Sequence, residues 1–177
     1  MSPAISSDSR STEDRLQAIE DRLDIYNLLA SQPPIVDSLS LDLLTEIFTP
    51  DGVLTRGGHG SMPVSSIASN TGTVMLDAAK MGLAHLGAMP YIKLGKNTAL
   101  AFSYVCVTVR DPTAESIAVP AHGDGKGHRL FLIAANRWDL VRTDGSWKLR
   151  NRTMVMCDGS DAPRQLARDV LDAAVVD

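Results

Sequence analysis

The stretch AHLGAMPYIKLGKNTALAFSYVCVTV, residues 84–109, holds two runs of strand-favouring residues split by the turn signal Gly95-Lys96-Asn97. It predicts strands over His85–Leu94 and Ala99–Arg110, with a histidine, His85, opening the first. A strand is a rigid support from which a proton-transferring side chain can point into a barrel or curved sheet. The natural partner of His85 lies upstream at Asp37, between two predicted helical segments.

Length and composition bound what surrounds that pair. A chain of 177 residues, 44% hydrophobic and 21% charged, suits one globular domain over residues 11–177 with a real core. The net charge of −4, with no long basic run, argues against nucleic-acid binding. No apolar run reaches membrane-spanning length and no signal-peptide core is present, so no membrane partner and a cytoplasmic location are expected. Cys106 and Cys157 form no C-x-x-C motif and read as two reduced thiols.

In chain order, polar residues 1–10 predict a disordered tail. Ser11-Thr12-Glu13-Asp14 has the spacing of a capping box, and Leu16, Ile19, Leu23, Tyr26 and Ala30 mark one apolar face of a first helix that Pro33-Pro34 stops. A second helix, about Ser40 to Phe48, ends at Pro50-Asp51-Gly52 and leads into a short strand, Val53–Arg56. The glycine-rich run 57–61 lacks the lysine and strand–helix frame of a phosphate-binding loop. Residues Val64–Met81 predict one or two short helices. Two later strands, Leu130–Arg142 and Trp147–Met156, follow a long loop, Pro112–Gly127, and a helix over Pro163–Ala174 closes the chain.

Asp144-Gly145 is a strong hairpin turn. Regular pairing from it sets Arg142 opposite Trp147, Leu140 opposite Leu149, Trp138 opposite Asn151 and Asn136 opposite Thr153, all on one face. The other face then carries Arg137, Asp139, Lys148, Arg150 and Arg152. The first face has the make-up of a cavity wall, and a bulge would flip part of it.

The order helix, Asp37, helix, F-T-P-D-G-V (48–53), H-L-G (85–87) and D-G-S-W-K-L (144–149) resembles the SnoaL-like family of the nuclear-transport-factor-2-like superfamily, over roughly residues 12–158. Within it the pattern is most similar to the scytalone dehydratase and hexachlorocyclohexane dehydrochlorinase group. The resemblance implies an α+β fold: a cone-shaped, curved, mostly antiparallel sheet wrapped over N-terminal helices around a deep apolar pocket. It also implies a catalytic Asp–His pair, which matches Asp37 and His85 here. Limonene epoxide hydrolases carry Arg-x-Asp on the strand matching Ala99–Val109, and ketosteroid isomerases a carboxylate near Phe102–Val105; this chain has neither.

An imidazole can take up and return a proton near neutral pH, and a carboxylate on one ring nitrogen fixes its tautomer. The function expected is a cofactor-free lyase or isomerase acting on a small, largely apolar cyclic molecule. His85 would abstract the proton and Asp37 orient it, while Tyr26, Tyr91, Asn136, Trp138, Asn151 and Thr153 contact substrate. The competing readings are a non-catalytic binding or assembly module and a polyketide-type cyclase. Taken singly, Asp37 reads as a helix cap, His85 as a strand histidine, and Tyr26 and Trp138 as packing. His59, His122 and His128 lie in glycine-rich loops, and a zinc site from the last two lacks close ligands apart from Asp124; no metal is expected. A homodimer or homotrimer is expected, because a sheet with one face on a pocket tends to cover the other.

Overall fold

The computed structural model describes residues 10–57, 60–69 and 73–174; the expected tail, Arg10 apart, and His59 lie outside them. Helix α1 (Thr12–Asp37) starts at the capping box, where Ser11 Oγ accepts from the Asp14 N–H at 3.0 Å and Asp14 accepts back from the Ser11 N–H. Its buried stripe is Asp21, Ile25, Leu29, Gln32 and Ile35. The expected face is rotated away: Leu16, Ile19 and Leu23 are each about half exposed. Two polar residues hold positions on the inward stripe, so counting apolar side chains selected the neighbouring one.

Pro33 and Pro34 lie inside α1 and do not end it. A proline removes one N–H from the helical ladder. The last turn nevertheless closes through the Ser38 and Ser40 N–H groups, which donate to the Pro34 and Ile35 carbonyls at 2.9 and 3.0 Å. Asp37 is therefore the final residue of α1, not part of a linker. A 3-10 turn (Leu41–Leu43) and a short α2 (Leu44–Ile47) replace the longer second helix, burying Leu41 and Leu44.

The sheet follows the order β2 (Gly60–Pro63), β1 (Phe48–Arg56), β9 (Ser146–Met156), β8 (His128–Thr143), β5 (Thr98–Arg110), β3 (Ala84–Gly87). Strand β4 (Tyr91–Leu94) pairs with β5 as well, so residues 84–94 form two strands broken at Ala88–Pro90. Among the described residues only β1 and β9 run parallel. Helices α3 (Val64–Ser69) and α4 (Thr73–Lys80) occupy the expected helical segment. The long loop carries a small exposed hairpin, β6 (Ile117–Val119) with β7 (Gly123–Gly125). Helix α5 (Ala162–Asp172) covers part of the outer sheet face with Pro163 and Val170. The inner face and α1 enclose a core that includes Ile25, Phe48, Ala101, Trp138 and Leu149.

The β8–β9 hairpin keeps the expected pairing only as far as Leu140 opposite Leu149. A bulge at Arg150 then shifts the register: Asp139 pairs with Asn151, Trp138 with Arg152 and Asn136 with Met154. Beyond it the phase is inverted, with Arg152 and Met154 inward and Asn151 and Thr153 outward.

The hairpin tip is tied to α1 by Asp21, which is 5% exposed. It accepts from Arg142 at 2.6 Å, Trp147 Nε1 at 3.2 Å and Gln17 at 3.1 Å. Burial pushes its carboxyl up, but these bonds outweigh burial and hold it below the ordinary carboxylate range. Its contribution to stability is thus complete above about pH 4 and drains as pH falls through the lower folded value. Asp21→Ala strands the Arg142 guanidinium and the Trp147 indole. Urea denaturation at pH 7 should show a loss of about 2–3 kcal/mol, and the gap to the parent protein should narrow below pH 4.

Candidate active site

Asp37 ends α1 beside β3, and both its carboxylate oxygens bond to one residue. The backbone N–H of His85 donates to Oδ2 at 2.9 Å, and the ring Nδ1 lies 2.5 Å from Oδ1. Both side chains are largely enclosed, at 20% and 26% exposed for His85 and Asp37. A carboxylate at a helix C-terminus meets the negative end of the dipole, so two N–H donors supply what the helix does not. With Nδ1–H directed at the carboxylate, the Nε2 lone pair remains available as a base.

The imidazole borders two chambers. The first, about 520 Å³, lies under α2 to α4 and is walled by Leu44, Phe48, Leu54, Val64, Ile67 and Met75. The second, about 610 Å³, lies between α1 and the β3–β4 edge, walled by Tyr26, Leu29, Pro33, Met89, Val105 and Trp138. Three residues, Gln32, His85 and Arg152, belong to both walls. Asp37 belongs to neither and sits behind the imidazole.

Arg152 is the residue that sequence reasoning placed on the wrong face. It is 6% exposed, donates from Nε to Asn136 Oδ1 at 2.9 Å, and lies 4.7 Å from the centre of the Trp138 ring. Among the described residues no carboxylate pairs with it. Burial, reinforced by the nearby Arg56 charge, pushes the guanidinium down to about 9, which leaves it cationic at neutral pH. Gln32 was missed too. It is 7% exposed, and its side chain has no hydrogen bond among the described residues. Its signal in the sequence was a polar residue set between Leu29 and Ile35 at helical spacing.

Of the expected contact residues, Tyr26, Asn136 and Trp138 line the second chamber. Trp138 is held there by its Nε1–H, which donates to Ser103 Oγ at 2.9 Å. Asn151 and Thr153 do not line either chamber, because the bulge turns them outward. Tyr91 is also outside, 49% exposed and opposite Phe102 on the outer face, since the break at Ala88–Pro90 resets the alternation. The cysteines are free, Cys157 exposed and Cys106 partly buried. Among the described residues no group of three or more His, Cys, Asp or Glu side chains could hold a metal ion, and no helix is long and apolar enough to cross a membrane.

Asn136 accepts from Arg152 through Oδ1, while its buried Nδ2 has no partner among the described residues. Asn136→Leu should therefore leave a desolvated guanidinium without its oxygen and cost about 2–3 kcal/mol. Adding Arg152→Met removes the stranded charge and should recover at least half of that loss. Chemical denaturation of the single and double variants measures both steps.

The family model described as a SnoaL-like domain matches residues 17–153. No curated protein shows significant sequence similarity to the chain. Among solved structures, the chain is similar to a nuclear-transport-factor-2-like protein with a cystatin-like fold from Novosphingobium aromaticivorans. That match has a TM-score of 0.77 and 25% identity, covering 91% of this chain and 97% of that one. A second cystatin-like-fold protein, from Nostoc punctiforme PCC 73102, matches with TM-score 0.61 and 19% identity over 78% of this chain and 92% of its own. The hexachlorocyclohexane dehydrochlorinase LinA-type3 from Novosphingobium barchaimii LL02 matches with TM-score 0.58 and 18% identity over 83% and 91%. At such identities the last two establish the shared fold.

Proposed function

The chain belongs to the SnoaL-like domain family, and from that premise we propose that it is a lyase or isomerase that needs no cofactor and removes an acidic proton from a small, largely apolar cyclic molecule. The observation that carries this reading is the Asp37–His85 contact of 2.5 Å behind a cavity wall that also holds a cation with no carboxylate partner among the described residues. His85 Nε2 takes the proton. Asp37 fixes the tautomer through Nδ1 and stabilises the imidazolium that forms. The electron pair left on carbon moves toward an adjacent oxygen or a leaving group, and the charge that develops is stabilised by the Arg152 guanidinium. Returning the proton elsewhere gives a double-bond shift, and expelling a leaving group gives elimination. A dehydrochlorinase of the same fold supports elimination chemistry as the reading for this scaffold.

Deuterium uptake isolates the first step without knowledge of the natural substrate. In D₂O, a panel of small cyclic ketones with acidic α-hydrogens is followed by NMR. The parent protein should exchange at least one member. His85→Ala should slow exchange about 10²–10⁴-fold, and Asp37→Asn should slow it too, by up to about 10⁴-fold, without loss of folding. Exchange that persists unchanged in His85→Ala ends the proposal.

The same reading includes a homodimer or homotrimer. Ile133, about 40% exposed, stands opposite Cys106 on the outer sheet face, where α5 leaves it uncovered. Sedimentation equilibrium at micromolar concentration should give a mass two or three times that of one chain, and a monomer there removes this part.

A further inference from the structure

The three residues common to both chambers are all polar, whereas most of the remaining wall is apolar. Two of the three lack the partner their chemistry calls for. Among the described residues Arg152 is a buried cation with no carboxylate, and the Gln32 amide, which faces both chambers, makes no hydrogen bond. Polar side chains with donor groups to spare thus border both chambers, close to the unpartnered Asn136 Nδ2 in the wall of the second. Each chamber alone, at about 520 and 610 Å³, is far larger than one ring requires, since an apolar cavity of roughly 150 Å³ already admits benzene. A ligand confined to one chamber would leave the other as apolar wall against water. The second chamber also opens past Met89, 84% exposed, and Leu86, 60% exposed, so an apolar group entering there meets apolar surface from the start.

We propose that the molecule this site accepts has two apolar lobes joined at a central carbon that bears a hydrogen-bond-accepting oxygen group. One lobe fills each chamber, and the oxygen rests against Arg152 and Gln32 where the chambers meet. The inference depends on the base reading above only for placing the acidic hydrogen of that carbon against His85; the lobes and the oxygen follow from the cavity itself.

The test is binding, measured by calorimetry with two probes. Diphenylacetate carries two rings and a carboxylate on one C–H centre, and phenylacetate lacks one ring. Diphenylacetate should bind at least about ten-fold more tightly to the parent protein. Ile67→Trp fills the first chamber and Ala30→Trp the second. Each should bring diphenylacetate to within about three-fold of phenylacetate while leaving phenylacetate itself within about three-fold of its parent value. Met75→Trp replaces Ile67→Trp if the latter lacks a cooperative melt. Equal affinities in the parent protein, no binding of either probe, or an advantage that survives either filling substitution would each overturn the two-lobed assignment. Loss of deuterium exchange in no variant, with the probe discrimination intact, would overturn the base reading alone.

Discussion

One carboxylate ties the end of the long helix to the strand that carries the imidazole. Asp37 receives both a backbone and a ring N–H from His85, so the same bonds that dock β3 on the end of α1 also set the angle of the imidazole. A strand held through its amide cannot slide without releasing the ring, and the ring cannot rotate without breaking a bond that secures the strand. The prolines within α1 belong to this arrangement, since Pro33 and Pro34 line the second chamber and lead the helix into the turn that ends at Asp37. Structural attachment and chemical alignment are therefore one interaction.

Much of this could be read from residues alone, and the exceptions share a cause. The turn at Asp144-Gly145, the capping box at Ser11 and the long strands around Phe102 and Trp138 are local signals, and they stand where local rules put them. Asp37 and His85 were brought into view by their order along the chain, and the fold sets them in contact. What escaped was phase. The apolar stripe of α1 is displaced because Asp21 and Gln32 occupy inward positions whose partners, or ligand-facing surroundings, come from distant parts of the chain. The inner wall of β9 is displaced because a bulge adds one residue after Leu149. Neither can be read from a periodicity count, as both depend on what lies opposite.

The buried arginine is a cost that packing does not explain. Its guanidinium gains one amide oxygen, the weakly accepting Met154 sulfur and an aromatic face, less than full hydration offered it. A core selected for stability alone would place an apolar side chain of similar volume there. The Asp21–Arg142 pair at the other end of the same sheet shows the contrast, because there the buried carboxylate meets a partly buried guanidinium and also an indole N–H. The Asp21–Arg142 cluster is thus satisfied and the Arg152 site is not, and the incomplete one borders the cavity.

The bulge at Arg150 has a bearing on how such a site diversifies. Because side chains alternate, a single inserted residue exchanges every position beyond it between wall and surface while all residue identities stay the same. Here that exchange presents Arg152 and Met154 to the interior in place of Asn151 and Thr153. Homologous chains that differ at this point by one residue in length would carry different linings on the same scaffold, even where their flanking sequences agree. Insertion history, more than substitution history, then becomes the variable that tracks specificity along this strand.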